Sequence, residues 1–419
     1  MKSTDHLFNP STTTATLMKN RKLKPLLLAS SLGASMLAGT AHAQSTVTLY
    51  GVVEEELEYV NNSSALGQTS GGKPLLKMTT SSWRASRFGL KGSEDIGDGT
   101  SVIFDLQAGF NPNNGAASTT GLLFNRYAYV GITNPHYGTV TLGRQYTPYL
   151  LLATQDMPPI WLTGAFGAHP GDIDAQDASW RVNNEIVYVS PTFAGATLGA
   201  SYSVPGVAGS EMLGATWSLA LRYVNGPYSA SAGVLRVNNP THGGGTWSGD
   251  TSTQPVVSAI NNGYQTAAGQ QRVNVAVGYT FSNKVDVSAS YSNAQYIPGG
   301  NSNFLNTAIF NTFGAVVHWS VTPFTNVALG YSLVNTTKAN GITSAAHYQQ
   351  LTASQWYLLS KRTTLFAVQA VQRASGKTLG TNGAGNIINA TAAIGDGFNS
   401  NPSSTPTQVG FTIGISHSF

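Results

Sequence analysis

Gln408-Val-Gly-Phe-Thr-Ile-Gly-Ile-Ser-His-Ser-Phe419 alternates along its whole length. Val409, Phe411, Ile413, Ile415, His417 and Phe419 share one parity; Gly410, Thr412, Gly414, Ser416 and Ser418 share the other. A strand sends successive side chains to opposite faces, so this is a strand with one greasy face and one small polar face. Its two edges need partners and its greasy face needs an apolar medium. A closed barrel in a membrane supplies both.

The bulk composition fits that reading. Charged residues are only 10% of the 419, while Gly numbers 46, Tyr 18 and Phe 16. A soluble domain carries roughly 25% charged residues. Cysteine is absent, which excludes disulfides and thiolate metal sites. The net charge of +4 lies entirely before Gln44, where Lys2, Lys19, Arg21, Lys22 and Lys24 face only Asp5. The remainder is balanced, so nucleic acid is not an expected partner.

Residues 19–24 form a basic segment, 25–39 a moderately apolar one, and Ala41-His42-Ala43 a small-x-small cleavage site. This pattern predicts a secretory signal peptide over 1–43, with Met18 as an alternative start, and a single barrel domain over 44–419. The alternative, a membrane anchor, suits this short and Ser/Gly-broken core less well. No later stretch approaches the ~18–20 continuous apolar residues of a spanning helix. For an exported, membrane-like chain that leaves a barrel.

Working back from the closing strand, the alternation recurs. Strands are predicted over 46–60, 77–94, 101–110, 122–133, 139–146, 182–189, 197–204, 216–224, 229–237, 273–281, 285–297, 307–319, 325–335, 347–359, 363–373 and 408–419. Short turns alternate with longer loops, and the turns carry Asp98-Gly99, Asn134-Pro135, Asn225-Gly226 and Ser282-Asn283. Even strand number, short turns on one side and long loops on the other are the layout of an outer-membrane barrel. A soluble sandwich or propeller would not need that asymmetry. The connection 147–180 is long, yet apolar at Leu150–Leu152, Ile160, Trp161, Leu162 and Phe166, which argues for a functional loop over a disordered one.

Several motifs then carry a resemblance. They are Val47-Thr-Leu-Tyr-Gly-Val52, Ser86-Arg-Phe-Gly-Leu-Lys-Gly-Ser-Glu-Asp95, Asn125-Arg-Tyr-Ala-Tyr-Val-Gly131, Gly138-Thr-Val-Thr-Leu-Gly-Arg-Gln-Tyr146, Arg181-Val-Asn-Asn-Glu185, Tyr188-Val-Ser-Pro191 and Phe419. In this order the chain resembles the trimeric general porins of Gram-negative outer membranes, in the branch of Burkholderia, Bordetella and Neisseria. The resemblance implies a sixteen-stranded water-filled barrel, a homotrimer, and a third external loop, here 147–180, folded into the pore. It also implies contact with outer-membrane lipid and lipopolysaccharide, and recognition of the C-terminal strand, through Phe419, by the barrel-assembly machinery. Small hydrophilic solutes and ions are the expected cargo, and no cofactor or metal is expected.

Parity places the charges. Phe88 and Leu90 outward put Arg87 and Lys91 inward; Tyr127 and Tyr129 outward put Arg126 inward; Ile186 and Tyr188 outward put Arg181 and Glu185 inward. Arg87, Arg126 and Arg181 match the family's constriction arginines. An arginine facing lipid would cost roughly 2–4 kcal/mol at midplane, so the inward reading is also the cheaper one. Across from them the resemblance expects acids on the loop: Asp156, Asp172, Asp174 and Asp177. Few of these come early in the loop, which leans towards a weak anion preference. Glu54, Glu56 and Glu58 are expected on the lumen face near the outer mouth, and Glu55 outward. Arg144 shares parity with Val140 and Leu142 and is expected outward, at a subunit interface.

The scattered histidines show no ligand spacing such as H-E-x-x-H, and no catalytic constellation stands out. A substrate-specific channel is the second reading, but it would want an aromatic slide along the lumen, and the tryptophans and tyrosines fall mostly on outward parities or in loops. An outer-membrane barrel enzyme, with a Ser/His or Asp/His pair at one rim, is the third.

Overall fold

A computed structural model describes residues 45–419 apart from 163, 179, 248–256, 282, 283 and 398, and apart from the side chain of Pro158. The expected signal segment 1–43, its alternative start at Met18 and the turn at 282–283 lie outside the described residues.

The wall is a closed antiparallel barrel of sixteen strands. In chain order they are β1 (Thr46–Ser63), β2 in two segments (Lys73–Thr79 and Arg87–Gly97), β3 (Thr100–Asn111), β4 (Tyr127–Asn134), β5 (Gly138–Gln145), β6 (Val182–Val189), β7 (Ala196–Ser203) and β8 (Thr216–Asn225). The second half is β9 (Tyr228–Asn238), β10 (Gly269–Phe281), β11 (Val285–Ile297), β12 (Ala308–Ser320), β13 (Thr325–Thr336), β14 (His347–Leu358), β15 (Thr363–Ser375) and β16 (Thr407–Ser418). Among the described residues no helix is long and apolar enough to cross a membrane.

Closure is made by the stretch that opened the reading. β16 pairs with β15 from Thr363↔His417 to Arg373↔Thr407, and with β1 from Val52↔Ser418 to Val60↔Gly410. Phe419 continues the seam: its N–H donates to the Gly51 carbonyl at 3.0 Å and its carbonyl accepts from the Gly51 N–H at 3.1 Å. A free strand edge in hydrocarbon would leave backbone groups unpaired at several kcal/mol each, which is why the sheet must close. The predicted parities hold on both faces of most strands; β4 is the exception, where Val130 and Ile132 face out and Tyr127 and Tyr129, expected outward, face the lumen beside Gln107 and Asp105. Leu49, Leu57, Leu142, Leu329 and Ile413 are exposed on the outside, while Thr412, Ser290, Ser354 and Asn274 are enclosed inside.

Two sequence expectations are corrected. β2 was expected as one strand over 77–94. It breaks over 80–86, with Ser81 and Ala85 at φ 83° and 62°, and this segment turns into the barrel. The pattern concealed the break because each half alternates correctly by itself. The last loop, read as polar over 374–407, instead carries two short ladders, Lys377–Gly380 with Gly383–Asn389 and Ala393–Ile394 with Asn401–Pro402. It buries Leu379, Ala390 and Ile394. Leu379 and Ala390 join Ile173, Ile260, Tyr264, Phe304 and Ile342 in one apolar cluster, so five loops share a core at the outer mouth.

The third loop folds into the barrel as two short helices, α1 (Pro148–Leu151) and α2 (Pro158–Leu162), followed by single 3-10 turns at Ala165–Gly167 and Pro170–Asp172. Tyr149, Met157, Phe166 and Ile173 are buried. The apolar content visible in sequence is therefore what docks the loop against the inner wall.

Candidate pore constriction

The basic wall is built on β2 to β6. Arg87 and Arg126 are half-buried on the inner face, and Lys91 is exposed there. Arg126 Nε donates to Gln107 Oε1 at 2.7 Å, Gln107 Nε2 to Tyr50 Oη at 2.8 Å, and Tyr50 Oη to Asp105 Oδ1 at 2.5 Å. Lys91 Nζ lies 5.1 Å from the Tyr50 ring centre. Arg181 is buried; its guanidinium sits 4.6 Å from the centre of the Tyr146 ring and bonds the Tyr146 hydroxyl. Arg126 approaches the same ring at 6.0 Å. An aromatic face holding two like charges eases their repulsion by about 0.5–2 kcal/mol per contact. Parity found Arg87 and Lys91; Arg126 and Arg181 reach the bore although Tyr127 beside the one and Val182 beside the other face inward as well. Parity could not find Tyr146, which follows the last strand pair and serves by position in space.

The expected opposing row of loop acids is absent. Asp156 lies against Gly278 on β10, 3.9 Å from Arg222 Nε, which is a different arginine from the three predicted. Asp172 accepts from the N–H groups of Gln176 and Asp177 at 2.8 and 3.2 Å. Asp174 Oδ2 lies 2.7 Å from His169 Nδ1 and accepts from Ser292 Oγ at 2.6 Å. Burial pushes Asp174 up, but His169 and then Ser292 hold it below the usual carboxylate range. Burial pulls His169 down, but the Asp174 and Asp172 carboxylates hold it above the usual imidazole range. For Asp177, burial and then the neighbouring Asp396 and Asp172 carboxyls push it well above the usual carboxylate range. Three of the four acids are thus spent on holding or shaping the loop, a use that residue type and spacing do not reveal.

The glutamates of β1 also differ from expectation. Glu54, Glu56 and Glu58 do face inward, but they are at most 2% exposed and do not stand free at the outer mouth. Glu58 pairs with Lys77 at 3.1 Å and accepts from Asn401 Nδ2 at 2.8 Å. Glu56 Oε1 accepts from the Ser82 N–H at 3.1 Å, and Glu54 accepts from the inturned 80–86 segment. Glu55 follows its parity, opposite Ile415.

Arg144 keeps its expected parity, opposite Ala128 in the unbroken β4–β5 ladder that also pairs Leu142 with Val130. Arg144 is buried all the same, beside a β5–β6 ladder whose extra residue lies on β6, between Val182 and Glu185. It donates to the Asn125 carbonyl at 2.8 Å and to Asn183 Oδ1 at 2.6 Å, within its own chain. The extra residue in β6, where Asn184 has φ 52°, resets the period there, so that Val182 is enclosed as Glu185 is.

An aromatic row missed in sequence lines the wall beneath the loop. Trp161 of α2 stacks on His318 (4.9 Å, 13°), His318 on Trp356 (5.2 Å, 10°), Trp356 meets Trp83 at 5.1 Å, and Trp83 stacks on Phe366 (5.1 Å, 13°). The ring faces are used against one another, so this is an anchoring stack and not a slide of open faces. Asp286 Oδ2 holds His318 Nδ1 at 3.0 Å.

A closed barrel with a greasy exterior, a polar interior and a charged loop folded into its bore defines a transmembrane channel protein. The profile of the family described as Gram-negative porin matches residues 29–377, and the chain belongs to that family. An outer membrane porin protein of Bordetella pertussis is 30% identical over 237 residues, 52% of this chain and 60% of the relative. Outer membrane porin protein 32 of Delftia acidovorans is 32% identical over 223 residues, 51% of this chain and 59% of the relative. The chain thus spans about 60% of the length of these curated relatives. Major outer membrane protein P.IB of Neisseria gonorrhoeae is 27% identical over 385 residues, 89% of this chain and 98% of the relative. Among solved structures, the anion-selective porin from Comamonas acidovorans superposes with TM-score 0.63 at 23% identity, covering 90% of this chain and all of that one. OmpT of Vibrio cholerae follows the same fold with TM-score 0.58 at 15% identity, over 90% and 98% of the two chains.

Proposed function

We propose that this protein is an outer-membrane general diffusion porin with a modest anion preference, and that it catalyses no reaction. The observation that carries the preference is the asymmetry of the constriction. Arg87, Arg126 and Lys91 line the bore, while Asp172, Asp174 and Asp177 are consumed inside the loop. Charge rings set ion preference, and a basic sector whose three cations outnumber the Asp105 carboxylate beside them favours anions. The fold relative titled an anion-selective porin supports the same direction.

The non-catalytic reading rests on geometry. His169, Asp174 and Ser292 have the composition of a triad, but the imidazole and the serine hydroxyl both address one Asp174 oxygen. The serine is not offered to the imidazole, so no base activates it. The stacked aromatic faces argue likewise against a substrate-specific slide.

The partners in this reading are two further copies of the chain, outer-membrane lipid and lipopolysaccharide around the belt, the assembly machinery at β16, and small hydrophilic solutes and ions. One sector of the outer face suits a subunit contact. Strands β1 and β4–β5 present mainly aliphatic side chains, such as Val47, Leu49, Ile132, Val140 and Leu142, whereas Phe281, Trp319, Phe324, Tyr331 and Tyr357 stud β10–β14 and the turns joining them. Aromatics favour the headgroup boundary, so the first sector, whose exposed aromatics are Tyr59 and the turn residue Tyr137, is the one less adapted to lipid. Planar-bilayer recording in a salt gradient tests the proposal: a reversal potential of anion sign is expected, and a cation sign or absent conductance would overturn it.

A further inference from the structure

We infer that Glu54 is a positioning residue for the constriction: it holds the inturned 80–86 segment, and that segment in turn aims Arg87 and seats the third loop. This rests on the channel reading above and goes beyond it.

The segment is gripped from both of its polar sides. Glu54 Oε1 accepts from the N–H groups of Ser81 and Trp83 at 3.1 and 2.9 Å, and Oε2 from that of Arg84 at 2.7 Å. The Glu54 backbone joins in: its N–H donates to Ser86 Oγ at 2.8 Å, and its carbonyl accepts from Thr80 Oγ1 at 2.8 Å. The carbonyls of the segment face the other way, where Arg87 Nη1 donates to Ala85 O at 2.9 Å and also to Arg84 O. Consecutive amides so turned form a cup for an anion, and their carbonyls form one for a cation. Glu54 occupies the first cup and Arg87 the second.

The third loop rests on the same segment. Gly164 has φ 61° and ψ −158°, and a Cβ there would fall 1.8 Å from Ser82 O. Trp83 meanwhile lies on Phe366 and against Trp356. Releasing the amides from Glu54 therefore loosens the Arg87 guanidinium and the seat of the loop together. Glu54→Gln is the sharp change. Its amide oxygen can still serve Ser81 and Trp83, but its NH2 then meets the Arg84 N–H donor to donor.

The chain has no cysteine, so Ser82→Cys, at a fully buried site, is a unique thiol. In folded barrels the Ser82→Cys thiol should resist a water-soluble maleimide. Adding Glu54→Gln should raise its labelling on the order of tenfold. Glu58→Gln removes a buried carboxylate from the same strand face without touching the segment, and should leave the thiol protected. Equal protection in the Glu54→Gln background, or equal exposure with Glu58→Gln, overturns the inference whatever the channel conducts.

The electrical readout separates positioning from charge. Removing a negative charge makes the bore more positive and by itself raises anion preference. Loss of Arg87 geometry lowers it. The inference expects Glu54→Gln to lower the anion-to-cation permeability ratio to that of Arg87→Gln, with no further fall in the double variant. A rise in the ratio, or an additive fall, overturns it. A wild-type channel without anion preference would instead overturn the function proposed above, and the thiol assay would still decide the role of Glu54.

Discussion

At the scale of single residues, the seam of the barrel depends on a missing side chain. A Cβ at Gly51 would fall 2.4 Å from Cζ of Phe419 and 2.6 Å from the Arg87 carbonyl. The terminal ring thus lies over Gly51 while the two backbones exchange hydrogen bonds. Gly51→Val should displace the ring and cost about 1–3 kcal/mol as an overpacked contact. Folding yield followed by heat-modifiable mobility should fall as far as on deletion of Phe419; an unchanged yield with Gly51→Val would remove the ring's seat from the account. Alternation alone made Phe419 legible as the end of a strand. That Gly51 must be a glycine was not legible, because the clash joins residues at opposite ends of the chain.

At the scale of the element, the third loop is docked by a titratable pair as well as by apolar burial. His169 is held above its usual value, so its contribution to docking is complete below that value and is lost as pH rises through the raised one. Asp174 is held below its usual value, so its contribution is present above that value and is lost as pH falls through the lowered one. Docking is therefore firmest between the two, and weakens on the alkaline side as His169 loses its proton. A charge-assisted hydrogen bond of about 1.5–3 kcal/mol is at stake. Single-channel flicker should increase on alkalinisation, and His169→Gln should flicker at neutral pH with that dependence flattened. A flat wild-type profile would contradict this. The sequence marked the loop as functional through its length and its apolar content. It did not show that its acids serve the loop itself, since partners such as Ser292 and Asp396 are brought near only by the closed barrel.

At the scale of the whole molecule, the proposed assembly divides the outer face, its mainly aliphatic sector to the neighbouring subunit and its aromatic sector to lipid. Leu142→Arg, in the aliphatic sector, should convert trimers to monomers in native electrophoresis while the barrel still folds. Leu329→Arg, among the aromatic studs, should cost about 2–4 kcal/mol of insertion, as an arginine near midplane does, and lower the yield of barrels without splitting trimers that form. Identical behaviour of the two variants would mean that the sectors are not distinct.

The amino-acid sequence by itself determined the number of strands, the parity of most of them, the side bearing long loops and the inward aim of Arg87. Each follows from a period of two, which the backbone transmits locally from one residue to the next. Only the tertiary structure decided what interrupts that period: the bulge in β6, the turn of Tyr127 and Tyr129 to the lumen, the inturned segment over 80–86, and the conversion of Glu54 from an expected charge at the mouth into the anchor of that segment. The last two are hydrogen bonds across the closed wall, between groups some thirty residues apart such as Glu54 and Arg84, and they exist only once β1 and β2 have met.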